Sequence, residues 1–196
     1  MASPPPPATV ASIDSSEKRE AILDAALSLF AERTFNGTPV PLIAERAGVG
    51  AGTIYRYFES KEALVNAVYR RWKSELKRRL VDHAPKGATP REEFRHWWRA
   101  LWSFAQEYPE AFTFLETHHH AAYLDAESRA VGAAINEGAR ALVRRGQRAG
   151  GMRRSDADLL IAMVFGAFTG LVKAGLPASP RVVAETEACA WELVAP

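Results

Sequence analysis

What the chain has little of narrows its identity first. A single cysteine, Cys189, stands among 196 residues, which excludes an internal disulfide and a cysteine-only metal site and fits a reducing cytoplasm. Its place on an apolar helical face reads as a small core residue, because a reactive thiol needs an exposed electropositive setting. No uninterrupted apolar run reaches the ~18 residues of a membrane span. Charge is nearly balanced at a formal +2, so the chain as a whole advertises neither a nucleic-acid nor a membrane partner. Strand-like alternation is missing throughout. GxSxG, Walker, dinucleotide, HExxH and CxxC patterns are missing as well, so nothing marks an enzyme, a cofactor or a metal.

What is present is helical. With 47% hydrophobic residues the chain can bury a sizeable core. Residues 1–13, MASPPPPATVASI, lack the basic start and apolar run of a signal peptide and read as a proline-stiffened disordered tail. A capping-box spacing over Asp14 to Glu17 opens a first helix with Ile22, Ala25, Ala26, Leu29 and Phe30 on one face. Thr38 then Pro39 signal the cap and first turn of a short second helix. Gly48 stops it, Val49 is an apolar peg, and a third helix runs from Gly50 or Ala51 to about Tyr57. Ser60 caps a long fourth helix ending at His83 to Pro85. Further helices are expected at 90–107, 109–124, 127–148, 156–175 and 180–194. The fold class is therefore all-α, with about nine helices.

Three or four residues between two short helices is helix-turn-helix spacing. A recognition helix has to be short, exposed along one side and braced by its neighbours. Ile54, Phe58 and Val49 can pack inward, leaving Thr53, Tyr55, Arg56 and Tyr57 to face outward. Arg56 is the one side chain there able to contact guanine bidentately, worth about 1–3 kcal/mol of discrimination. Tyr55 and Tyr57 offer hydroxyls to phosphate. Thr38 and Lys61 stand at helix starts, where free N–H groups favour phosphate. A plainer reading leaves the tyrosines as core aromatics with wet hydroxyls and Arg56 as a solvated charge.

The residues from Ile22 to Phe30, Gly37, Thr38, the IAERAGV run from Ile43, GTIYRYF from Gly52 and SKEAL from Ser60 closely resemble the DNA-binding region of tetracycline-repressor (TetR) family transcription regulators. The resemblance covers about 45 residues with several spacings held at once. It implies an N-terminal three-helix DNA-binding domain over 14–60 and a larger helical ligand-binding and dimerisation domain over 61–196. It further implies backbone clamping of an operator at the matching positions. Pro41 and Leu42 depart from the polar residues common there, and Gly50, Ala51 and Gly52 leave the start of the third helix almost bare. Direct readout should then be sparse. Ala51 can touch a thymine methyl and Gly52 permits close backbone approach, so DNA shape carries part of the specificity.

Two features follow in the larger part. Trp97, Trp98, Trp102, Phe112 and Leu115, with Phe165 and Phe168, can line a cavity for an apolar effector or simply form core; the resemblance favours the cavity. Successive residues of His118, His119 and His120 point about 100° apart, so they do not converge on a metal, and His119 is the candidate polar contact to a ligand. The basic run RRWKSELKRR from Arg70 to Arg79 spreads around Trp72 and Leu76 and reads as a solvated face. The segment DADLLIAMVFGAFTGLVKAG is apolar nearly all round, with Ser155 and Asp158 as its caps. Ala162, Gly166, Gly170 and Ala174 form a small-residue stripe, and Val183, Thr186, Ala190 and Leu193 a matching face. A four-helix bundle across a two-fold axis would bury both. The expected molecule is a homodimeric repressor, binding a palindromic DNA site and released by a small-molecule effector; the rival is a helical small-molecule binder that never meets DNA.

Overall fold

The computed structural model describes residues 15–117 and 122–196. The tail at 1–13, the expected Asp14 cap and the His118 to His120 run, including the ligand candidate His119, lie outside the described residues. Among those residues there are nine α-helices and no strand. They are α1 (Ser15–Arg33), α2 (Val40–Arg46), α3 (Ala51–Tyr57), α4 (Lys61–Lys77), α5 (Pro90–Glu107), α6 (Pro109–Thr117), α7 (Ala126–Arg148), α8 (Ala157–Lys173) and α9 (Pro180–Glu192). None is long and apolar enough to cross a membrane. The chain divides into two compact units between Leu64 and Val65.

The first unit is a three-helix layer closed over Ile22, Leu29, Phe30, Ile43 and Ile54, each 1% exposed or less. The second packs α5 against α6, α7 and α9, and α7 against α8. Most expected helix boundaries hold within two or three residues, but the helix expected over 109–124 is α-helical only as Pro109–Thr117, and residues 122–124 lie outside any α-helix. The fourth helix does not run unbroken to His83: it is α-helical to Lys77 and then widens into a π turn, Arg78–Asp82. The His83 N–H donates to the Arg78 carbonyl at 3.0 Å, the i to i+5 bond of that geometry. Pro85 cannot continue the ladder beyond it. Helix α8 is capped by Asp156, whose carboxylate accepts from the Leu159 N–H at 3.0 Å; Asp158, the expected cap, instead takes a 2.6 Å bond from Arg140. Helix α5 opens on a full Thr89–Glu92 capping box.

The second unit is organised around Phe168, which is fully buried. Trp98, Trp102 and Phe112 each meet its ring edge-to-face at 5.6, 5.4 and 5.8 Å, the arrangement the ring quadrupoles favour. Two polar devices tie helices together. Asn66 of α4 donates to the Tyr123 carbonyl at 2.7 Å and accepts from the Asp125 N–H at 2.9 Å. Glu187 of α9, 3% exposed, lies 2.9, 3.4 and 3.8 Å from the guanidinium groups of Arg91, Arg95 and Arg99, spaced one turn apart along α5. The basic run of α4 is ion-paired rather than merely solvated: Arg70 with Asp125, Lys73 with Glu116, Arg78 and Arg79 with Glu75.

Phe168→Ala removes the hub of four rings and should cost about 3–5 kcal/mol, measured by urea unfolding. Acid should unfold the chain through named groups. Hydrogen bonds from Arg78, then Arg79, hold Glu75 down from 4.5 to about 2, and the Ser128 N–H, then Arg70, holds Asp125 down from 3.8 to about 2. A carboxylate depressed in the fold contributes stability above its unfolded pKa and loses it as pH falls toward the folded one. The urea midpoint should therefore be flat from pH 7 to about 5 and drop between about 4.5 and 2.

Candidate nucleic-acid interface and effector cavity

The turn between α2 and α3 is built from backbone alone. Gly48 adopts φ +66°, and the Val49 N–H returns to the Ala44 carbonyl at 2.9 Å, a left-handed helix stop that a side chain would strain. Gly50 then caps α3 without a side-chain bond. With Ile54 1% and Phe58 5% exposed, helical geometry turns Ala51, Gly52, Tyr55 and Arg56 outward, and all four are exposed. Tyr55 is the most exposed large hydrophobic side chain among the described residues, at 56%. Thr53 and Tyr57 are half-buried at the edges of this face. The Arg56 guanidinium rests 5.9 Å from the Tyr57 ring centroid and takes part in no salt bridge among the described residues. Arg46 of α2 differs, being bound to Ser28 and Glu32 of α1 at 3.2 and 3.4 Å.

Two expected phosphate contacts are otherwise employed. Thr38 is fully buried; its hydroxyl donates to the carbonyls of Thr34 and Leu29, at 2.8 and 3.1 Å, and its N–H to Phe35. Pro39, not Thr38, is the cap of α2, because the threonine hydroxyl turns back to the end of α1. Lys61 is half-buried, donates to the Phe35 carbonyl and lies 4.2 Å from the centre of that ring. Burial depresses its pKa. One cation escaped the sequence reading: Arg19 of α1 stacks over the Phe58 ring at 5.4 Å, so it borders α3. Nothing in linear spacing brings residues 19 and 58 together.

Within the second unit, α4, α5, α7 and α8 enclose a cavity of about 280 Å³, near the small end of ligand sites. Trp97, Trp98 and Phe165 line it, with Phe94, Leu101, Ile135, Val143 and Val164. Beside Trp97, α7 packs closely at Gly138, where a Cβ would stand 2.9 Å from Val81 and 3.4 Å from Trp97. Trp102, Phe112, Leu115 and Phe168 do not line the cavity. They are buried, the first two and Phe168 in the ring cluster, so half the aromatic density is core.

Helix α8 turns Leu159 and Met163, 55% and 43% exposed, to the same side as the exposed Ala162, Gly166, Gly170 and Ala174. A Cβ on either glycine would meet nothing within 4 Å, so in the single chain this stripe faces open space. On α9 the single chain turns the expected face inward. Ala190 is buried and Val183 and Leu193 are half-buried, while Thr186 accepts a 3.3 Å bond from the Trp98 indole. The outer face consists of Arg181, Ala184, Glu185, Ala188, Cys189 and Glu192. Cys189 is thus exposed, not a core residue.

Residues 22–74 match the bacterial regulatory proteins of the tetR family, and residues 69–195 match the tetracyclin repressor-like C-terminal domain. Over 100 residues the chain is 39% identical to the HTH-type transcriptional regulator RutR of Escherichia coli (strain K12), covering 49% of this chain and 45% of that one. Over 72 residues it is 42% identical to the HTH-type transcriptional repressor KstR2 of Rhodococcus jostii (strain RHA1), 37% of this chain and 35% of that one. The matched stretches thus span about half or less of these curated relatives. A TetR family transcription regulator from Marinobacter aquaeolei VT8 superposes with a TM-score of 0.76 at 26% identity, over 91% of this chain and 95% of that one. KstR2 of Mycobacterium tuberculosis shares the fold at a TM-score of 0.76 and 20% identity, over 94% and 98%.

Thr38→Val keeps the shape and removes both hydroxyl bonds. It should lower stability by about 1–3 kcal/mol, seen in thermal melts, and leave DNA affinity unchanged at temperatures where the variant is folded.

Proposed function

The chain belongs to the tetR family of bacterial regulatory proteins, and on that premise we propose that it is a homodimeric, operator-binding transcriptional repressor released by a small, largely apolar effector. The proteins it matches are regulators of transcription, not enzymes. The observation that carries the reading is the outer face of α3: an exposed Tyr55, an exposed Arg56 without a salt bridge among the described residues and a bare Ala51–Gly52 start, all held by a buried inner face. Arg56 reads guanine, Tyr55 and Tyr57 contact phosphate or sugar, and Thr53 and Ala51 touch base edges or a thymine methyl. Gly52 lets the backbone approach. Arg19 adds a phosphate contact, and Lys61 contributes charge while bracing Phe35. Thr38 braces the end of α1 from inside and takes no part in the DNA contact.

Dimerisation would cover the exposed α8 stripe, an apolar surface that a lone chain leaves in water. Two-fold symmetry then asks for a palindromic or near-palindromic site with half-site centres at least about 34 Å apart. An effector in the aromatic cavity relieves binding if it favours a dimer form with the wrong spacing. The cavity wall includes Leu76 of α4, and the first turn of that same helix carries Lys61, which suits such coupling.

Selection of bound sequences from random duplex DNA should return inverted repeats. Arg56→Ala should lose about tenfold or more in preference at one base pair per half-site, in line with the worth of a bidentate contact. Unchanged preference in that variant would remove Arg56 from readout. Met163→Glu, placing charge in the α8 stripe, should shift sedimentation to the monomer and abolish operator binding; a dimer that persists would put the interface elsewhere.

A further inference from the structure

Among the described residues, the lining of the cavity in the second unit is apolar except at Lys73, Glu116 and Asn136. Lys73 Nζ and Glu116 Oε1 are 3.6 Å apart, and their side chains keep only 16% and 14% of their exposure. That separation makes an ion pair but exceeds the reach of an N–H···O hydrogen bond. Neither side chain has another salt bridge among the described residues, and the Lys73 ammonium also lies 6.0 Å from the centre of the Tyr69 ring. The pair is therefore a part-buried charged spot on the wall of an otherwise apolar cavity, its two ions close but not joined by a direct hydrogen bond.

We propose that this pair is the polar subsite of the cavity and that the effector is a small, uncharged molecule with a planar apolar body and one head that both donates and accepts, such as an alcohol, phenol or primary amide. The inference rests on the effector reading above. The head's oxygen accepts from Lys73 while its O–H or N–H donates to Glu116, so both charges gain a hydrogen bond and neither loses its counter-ion. A carboxylate would suit Lys73 but crowd Glu116 with like charge, and an ammonium would suit Glu116 but crowd Lys73. Either ion must also leave water, a cost that a neutral head escapes. The rings of Phe94, Trp97, Trp98 and Phe165 supply the flat apolar walls, and a cavity of about 280 Å³ suits one or two fused rings better than a long chain.

Isothermal titration of the full chain at pH 7.5 with naphthalene, 2-naphthalenemethanol, 2-naphthoate and 2-naphthalenemethylamine holds the ring constant and varies the head. The alcohol should bind at least tenfold more tightly than the other three. Lys73→Met and Glu116→Gln should each reduce its affinity about tenfold, and Glu116→Gln should at the same time strengthen the naphthoate. The ranking in the unaltered protein needs no variant to fold. A naphthoate or amine that equals the alcohol, failure of all four to bind, or an alcohol indifferent to Lys73→Met would overturn the proposal. A parallel operator-binding assay separates the two readings: alcohol binding with this ranking but without DNA release upholds the subsite and overturns the effector role.

Discussion

A seven-residue helix has no stability of its own in water, because the cost of nucleating it exceeds what two turns return. Helix α3 exists only because Ile54 and Phe58 are buried against the rest of the first unit and because the Gly48 turn delivers it there at a set angle. That constraint explains the division of labour around it. Thr38 and Arg46 are turned inward or across to α1, Lys61 is largely committed to Phe35, and the outer side chains of α3 are left uncommitted. The polar groups nearest the interface are those that hold the scaffold, and the contact-making groups are those the scaffold has no use for.

The second unit separates two tasks that aromatic residues can perform. Phe168, Trp102 and Phe112 meet edge-to-face in a closed cluster, where filled space and ring electrostatics hold α5, α6 and α8 together. Phe94, Trp97 and Phe165 lie on the rim of that cluster, where packing stops short and leaves the cavity. Trp98 belongs to both, with its indole N–H held by Thr186. The same helix set thus carries a rigid centre and an unfilled space beside it. The few charges on the wall, Lys73 and Glu116, stand out against that lining because so little else there is polar.

Charge placement tells a related story. The run from Arg70 to Arg79 looks in the linear chain like a block of cations, yet Glu75, Asp125 and Glu116 meet most of it. Glu187 reverses the pattern: an isolated carboxylate on α9 is met by three arginines one turn apart on α5. Such cross-helix pairs fasten helices without enlarging the core.

Local rules determined much of this protein from its sequence. Helix order, the helix-turn-helix, the inward Ile54 and Phe58, the outward Tyr55 and Arg56 and the exposed stripe of α8 all follow from periodicity, caps and glycine stops, which act over a few residues. Contacts between distant residues were decided only by the fold: the inward turn of the Thr38 hydroxyl, Arg19 on Phe58, the π turn at the end of α4, the outer face of α9 with Cys189 on it, and the split of the aromatics between core and cavity. The physical reason is that a helical side chain's direction is set by its own turn. Whether that direction meets a neighbour, a void or water depends on where other helices lie, and no spacing within one helix encodes that.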